Sequence, residues 1–178
     1  MAAVLDGVRV LELGGELGDW CGKLLADMGA DVVKVEPPGG DETRQYPPFF
    51  EDEPGVDRSL YFWHYNTNKK SVTLDIESSR GREIFRQLVA RADVVIDSFS
   101  PGRLQGLGIG YEHLREIASE LVMAAITPFG QKGPYCDYVA TDLTALSFAG
   151  PVWSCGYDDH SMAPVRGGGN QGYHTACH

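Results

Sequence analysis

Apolar positions along this chain alternate between two periods. Val8 to Leu13 and Asp31 to Glu36 are short aliphatic, β-branched runs of the kind that form buried strands. Between them Cys21, Leu24, Leu25 and Met28 recur at i, i+3, i+4 and i+7, one face of a helix. Gly29 offers that helix an end. Gly14, Gly15 and Gly18 permit a tight turn out of the first run, and Pro37-Pro38-Gly39-Gly40 stops the second. The unit is βαβ, which predicts parallel strands joined by a right-handed crossover.

The alternation continues downstream. A polar turn at Asn66 to Lys70 precedes a short strand, Ser71 to Leu74. Ser78 is a good N-cap for an amphipathic helix over 79–92, with Gly81, Ile84, Phe85, Leu88, Val89 and Ala92 at helical spacing. Asp93 to Asp97 reads as a buried strand and Ser98 to Gly102 as the turn after it. Leu104 to Leu107 allows one helical turn. Tyr111, Leu114, Ile117 and Ala118 mark another helix, and Leu121 to Ile126 a fifth strand. Val139, Leu143 and Leu146 fit a helix closing near Gly150. Strands and helices in this order predict an α/β fold, a parallel sheet with helices on both faces, over residues 1–150. Residues 151–178 read as loop and the start of a further element, so that the chain looks like a fragment. Residues 37–58, rich in Pro, Gly and acids, predict a surface loop, and Tyr61, Phe62, Trp63 and Tyr65 an aromatic cluster of core packing. Ligands on such sheets sit beyond the carboxyl ends of the strands, here Gly14–Gly18, Pro37–Asp41, Ser98–Gly102 and Thr127–Pro134.

Charge narrows the partners. The net charge is −10 over 178 residues, which argues against nucleic acid. It is uneven: residues 1–58 carry 13 acids against 5 bases, residues 59–178 carry 12 against 10. Six bases, Lys69, Lys70, Arg80, Arg82, Arg86 and Arg91, fall in one stretch; a solvated helix face explains the four arginines. No apolar run approaches the ~18 residues of a membrane helix, and the first residues carry no basic leader. The four cysteines (Cys21, Cys136, Cys155, Cys177) form no CxxC pair, so a reduced, cytoplasmic chain is expected.

Two motifs suggest chemistry and stop short of it. Gly14-Gly15-Glu16-Leu17-Gly18 follows a strand and opens a helix, and Glu36 ends the next strand 22 residues after Gly14. A dinucleotide fingerprint has this layout, but here the spacing is GGxxG and Glu16 would repel a phosphate, which favours a structural turn. His174, Cys177 and His178 have metal-ligand chemistry without a second cluster to complete a site, and Asp158, Asp159 and His160 read as loop surface. No metal is expected. Asp142, on a helix near the Gly130–Pro134 turn, is a weak candidate for a catalytic carboxylate; helix surface is the plainer reading.

Several stretches together carry a resemblance. LDGVRVLEL, LLADMGADVVKVEPPGGDETR, NTNKKSVTLDIESSRGREIF, LVARADVVIDSFSPG, LGIGYEHL and ITPFGQKGPY are similar, in content and order, to the family III CoA-transferases, the group of formyl-CoA and carnitine CoA-transferases and α-methylacyl-CoA racemases. The resemblance implies a Rossmann-like sheet that binds coenzyme A (CoA), and CoA or acyl-CoA as substrate rather than a tightly bound cofactor. It implies a small carboxylate as the other reactant. It also implies that this is the first half of a chain whose family forms interlocked rings, as a homodimer or with a second half. A half lacking its returning segment is expected to self-associate.

The family's nucleophile is an Asp that forms a mixed anhydride with the acyl group, within a Gly-Asp segment ahead of a helix. That segment matches Gly167 to His174, with the Asp position at Gly168, or at Asn170 if the register slips. Neither residue can attack a thioester. For the coenzyme, the matching turn is Leu17-Gly18-Asp19. Leu74, Phe99 and Leu107 keep an apolar adenine-side character and Ser98 a polar one. The phosphate-binding bases of formyl-CoA transferase match Pro37, Glu77, Gly106 and Val139, none basic. Lys69 and Lys70 lie close by in sequence as candidates to restore that charge, with solvent exposure as the alternative. Three readings follow: a transferase region whose activity needs residues elsewhere; a non-catalytic CoA-binding or scaffold module of a fused two-copy protein; and a nucleotide-binding dehydrogenase domain.

Overall fold

The computed structural model describes residues 3–155 and 162. Five strands, β1 (Arg9–Leu13), β2 (Asp31–Glu36), β3 (Lys70–Thr73), β4 (Val94–Asp97) and β5 (Val122–Ala125), form one sheet in the order β3-β2-β1-β4-β5. Every pairing is parallel, with Leu13 of β1 level with Val35 on one side and Asp97 on the other. Successive side chains on a strand point to opposite faces, and the core follows that rule. Leu11, Leu13, Val35 and Val95 pack with Phe85, Val89, Leu104 and Leu114 on one face. Val10, Val32 and Ile96 pack with Ala26 and Ala30 on the other.

Helices cover both faces. α1 (Glu16–Asp27) follows β1. α2 (Leu60–Tyr65) precedes β3, and α3 (Ser79–Val89) follows it. The short α4 (Arg103–Gly106) and α5 (Tyr111–Arg115) lie between β4 and β5. Ser78 caps α3 as predicted, its Oγ accepting the Gly81 N–H at 2.9 Å. α3 ends at Val89 rather than Ala92, where Ala90 closes the last turn.

Two expectations are corrected. The predicted apolar stripe of α1 is turned inward only in part: Cys21 and Leu25 pack against the core, while Leu24 and Met28 are each 43% exposed. The helix buries Leu17, Gly18, Asp19, Gly22 and Ala26, whose small residues bring its backbone close to the sheet. The aromatic cluster is not core either: α2 has no buried residue and Trp63 is 45% exposed. Its rings stack on one another along the surface, Tyr61 against Tyr65 at 4.6 Å and Trp20 against His64 at 6.2 Å.

The loop 37–58 is more ordered than its composition suggests. It contains two 3₁₀ turns, and Asp41 and Thr43 within it are buried. The described residues divide into two compact units after Ile126, so the stretch 1–150 spans this break. The second unit holds α6 (Asp142–Ala149) and α7 (Pro151–Ser154). Thr141 caps α6 with a reciprocal capping box, and Gly150, at φ +98°, ends it in the left-handed conformation that glycine tolerates. Phe129, Tyr135 and Phe148 cluster within this unit.

Candidate functional site

In the first unit a cleft of about 330 Å³ opens where the strands end. It is lined by Gly14 and Gly15 after β1, Val35 and Pro37 at the tip of β2, Leu74 to Glu77 after β3, and Ser98 to Ser100 after β4. The strand order reverses between β1 and β4, and a crevice at such a reversal is the usual ligand site of an open α/β sheet. Gly14 adopts φ +95°, and a side chain there would run into Ser98 and the backbone of Phe99. The absence of a side chain therefore keeps the β1 and β4 tips together. Ser98 Oγ reinforces the joint by donating to the carbonyl oxygens of Leu13 and Gly15, each at 3.2 Å. Phe99 N–H donates to Asp97 at 2.9 Å, a carboxyl that burial pushes upward in pKa.

Behind this cleft, on the α1 side of the sheet, lies a buried ionic cluster. Glu12 of β1 and Lys34 of β2 are register partners in the middle of apolar strands. Both are 1% exposed. Lys34 Nζ donates to Asp19 Oδ1 at 2.5 Å and to Glu12 Oε1 at 3.1 Å, and lies 3.1 Å from Asp41 Oδ2. It also reaches the carbonyl oxygen of Gly14 at 3.4 Å. Lys69 Nζ donates to Glu12 Oε1 and to the carbonyl oxygen of Asp19 at 2.9 and 2.8 Å. Burial acts to lower the Lys34 ammonium, but the carboxylates of Asp19, Glu12 and Asp41 outweigh it and hold its proton more firmly than water does. Burial pushes Glu12 up to about 7 against the pull of Lys34 and Lys69. The same burial lowers Lys69.

A second ionic group fixes the loop after β2. Burial acts to raise Glu36, yet bonds from Arg44 (2.6 and 2.8 Å), Ser71 (2.5 Å) and the Asp41 N–H (2.8 Å) bring its carboxyl down to about 2. Thr43 donates its N–H to Asp41 at 2.8 Å, and its hydroxyl donates to the same carboxylate. The cleft wall formed by residues 35–42 is thus pinned from beneath by Lys34 and from the side by Arg44.

Of the residues expected to touch a coenzyme, the cleft brings together Leu74, Ser98 and Phe99. Leu17 and Gly18 sit in the first turn of α1, Gly18 tight against the Ser98 side chain, without lining the cleft. Leu107 packs into the core beside α4. Lys69 and Lys70 do not line the cleft. Lys69 is buried and committed to Glu12, and Lys70 lies on the exposed edge strand β3, paired with Asp31 at 2.5 Å. The acid of the dinucleotide pattern, Glu36, is likewise committed to Arg44 and Ser71. Glu16 accepts the Tyr61 hydroxyl at 2.8 Å. Asp142 opens α6 in the second unit. Gly168, Asn170, Asp158 to His160 and the His174–His178 group lie outside the described residues. Among the described residues no three His, Cys, Asp or Glu side chains are grouped to hold a metal ion, and no helix is long and apolar enough to cross a membrane.

Sequence reasoning passed over Glu12, Lys34 and Arg103. A lone acid and a lone lysine inside aliphatic strands were the available signal for the first two, since a charge in a buried strand demands a partner. Arg103 opens α4 and lines the cleft. Chemically, the cleft offers an apolar wall (Val35, Leu74, Ile76, Phe99) able to take a flat ring system, the Ser98 hydroxyl, and one guanidinium.

The model of CoA-transferase family III matches residues 5–178. The chain is 42% identical, over 94% of its length, to succinyl-CoA:(R)-benzylsuccinate CoA-transferase subunit BbsE of Thauera aromatica, and covers 40% of that protein. It is 40% identical over 89% of its length to formyl-CoA:oxalate CoA-transferase of Streptomyces avermitilis, covering 38% of it. The crystal structure of a CAIB/BAIF family protein from Brucella suis superposes with a TM-score of 0.84 at 38% identity, over 96% of this chain and 45% of that one. The chain thus spans about two-fifths of the length of these curated relatives. A strand-tip cleft in a parallel α/β sheet, with matching sequence along nearly the whole chain, leads to one conclusion: the chain belongs to the family III CoA-transferases.

Proposed function

We propose that this chain forms the coenzyme-binding region of a transferase that moves CoA between an acyl-CoA and a small carboxylate, the nucleophilic carboxylate coming from another segment, subunit or copy. The observation that carries the reading is the cleft at the β1/β4 reversal, where Leu74, Ser98 and Phe99 meet. The relatives' names point to the same substrate class, since succinyl-CoA and formyl-CoA are thioesters and benzylsuccinate and oxalate are carboxylates. One of those relatives is a subunit, which fits a chain that shares its reaction with a partner. We infer a cytoplasmic setting and an oligomer, as homodimer or with a complementary chain. CoA is a substrate here, with no tightly held cofactor.

In such a reaction a carboxylate oxygen bonds to the thioester carbonyl carbon, the C–S bond breaks, and CoA leaves as thiolate. The acyl group stays activated as a mixed anhydride. Gly168 has no side chain and Asn170 is a neutral amide, so neither position supplies that oxygen. What this chain's residues do is bind and orient the nucleotide part of the thioester.

The test is direct. Calorimetry with the full chain is expected to show CoA binding and no NAD binding; no CoA binding would remove the coenzyme reading, and NAD binding would revive the dehydrogenase alternative. Incubation with succinyl-CoA followed by hydroxylamine should give no hydroxamate on this chain by mass spectrometry. A hydroxamate at any of its acids would show that it runs the covalent step itself.

A further inference from the structure

Among the described residues that line the cleft, Arg103 alone is basic, facing the acids Asp41, Glu42, Asp75 and Glu77. Asp41 is paired with Lys34, an ammonium that it shares with Glu12 and Asp19. The remaining acids leave the cleft unfriendly to a polyanion unless a cation is placed where the phosphates lie. The guanidinium of Arg103 lies 4.3 Å from the centre of the Phe99 ring and donates to Glu77 Oε1 at 2.8 Å. It is therefore held at the cleft wall between a ring face and an acid, with both neighbours also lining the cleft. The pair with Glu77 is half exposed on both sides, and an ion pair of that kind is worth about 0–1 kcal/mol. A phosphate offers the same guanidinium two parallel charge-assisted bonds, which are stronger and more directional.

We propose that Arg103 is a phosphate-binding residue of the cleft, and that Glu77 holds its guanidinium in place until a phosphate of the CoA nucleotide displaces it. This rests on the coenzyme reading above. The purine lies against the apolar wall that includes Leu74 and Phe99, and the phosphate meets Arg103 at its rim.

The experiment is a calorimetric titration of the full chain and its variants with CoA and with dephospho-CoA at two salt concentrations. Arg103→Met is expected to weaken CoA binding at least tenfold and to flatten its salt dependence, with the thermal midpoint unchanged. Arg103→Lys should recover part of the loss, because a point charge keeps the attraction without the fork. Glu77→Gln should tighten binding several-fold by removing the competitor. If dephospho-CoA binds wild type and Arg103→Met equally, the 3′-phosphate is the partner; if the substitution weakens both ligands alike, it is the diphosphate. CoA binding that is the same in Arg103→Met and wild type would overturn the assignment alone. Absence of CoA binding by the wild-type chain would overturn the coenzyme reading, and the assignment with it.

Discussion

Lys34 stands at the centre of the first unit with the carboxylates of Asp19, Glu12 and Asp41 within 3.1 Å. All four groups are buried, so removing the ammonium would leave three acids out of water with Lys69 to balance them. Breaking a buried ionic group by deleting one member costs about 3–5 kcal/mol, and Lys34→Met is expected to fall in or above that range in urea unfolding. A loss below about 1 kcal/mol, the figure for an exposed pair, would mean that water reaches the cluster. The charges at 12 and 34 were legible as letters in the sequence. Their pairing was not, because it needs the parallel register that sets Glu12 beside Lys34 and the turn of α1 that swings Asp19 over them. Lys69 shows the converse: its letters suggested a surface base, and its place beneath α1 made it a structural counter-ion.

At the scale of elements, α1 is the helix that its periodicity predicts, but it is rotated from the predicted stripe, so that Cys21 and Leu25 pack inward while Leu24 and Met28 face out. Periodicity reports which residues share a face, not which face the sheet receives. Here the receiving surface contains Glu12, so the docked face needs a polar residue and small ones. Gly22 illustrates the constraint: a side-chain carbon built there would collide with Glu12 Oε2 and approach Lys69 Cε to 3.2 Å. Glycine to alanine in a helix interior ordinarily gains about 1 kcal/mol. Gly22→Ala should instead lose about 1–3 kcal/mol, the range for overpacking, as read by thermal unfolding. A stabilised variant would show that α1 has room to move outward. The strands were read within one or two residues, since buried parallel strands announce themselves as continuous apolar runs. The short α2 was not, because its aromatic residues lie on the surface and carry no core periodicity.

For the whole molecule, two carboxyls act in opposite directions on stability. Glu36 falls from 4.5 to about 2 on folding. Its contribution is present above pH 4.5 and is lost as pH falls through 2. Glu12 rises from 4.5 to about 7. Its contribution is complete below pH 4.5 and is lost as pH rises through 7. At about 1.4 kcal/mol per pKa unit, each effect is about 3 kcal/mol. Among these two groups, then, stability peaks near pH 4.5–5 and declines toward neutrality. Urea unfolding across pH 5 to 8 should show this slope, and Glu12→Gln should flatten it. A slope unchanged in that variant would place the titrating proton on another group.

The order of strands and helices, the parallel sheet and the family were all within reach of the sequence, because hydrophobic period, turn residues and motif spacing are local or linear properties. So was the place of the cleft, since strand tips follow from strand positions. Only the tertiary structure decided which charges became internal counter-ions and which stayed on the wall of the cleft. Burial and pairing depend on what the fold sets opposite each side chain. By that rule Lys34 and Lys69 went inside, and Arg103 was left at the cleft.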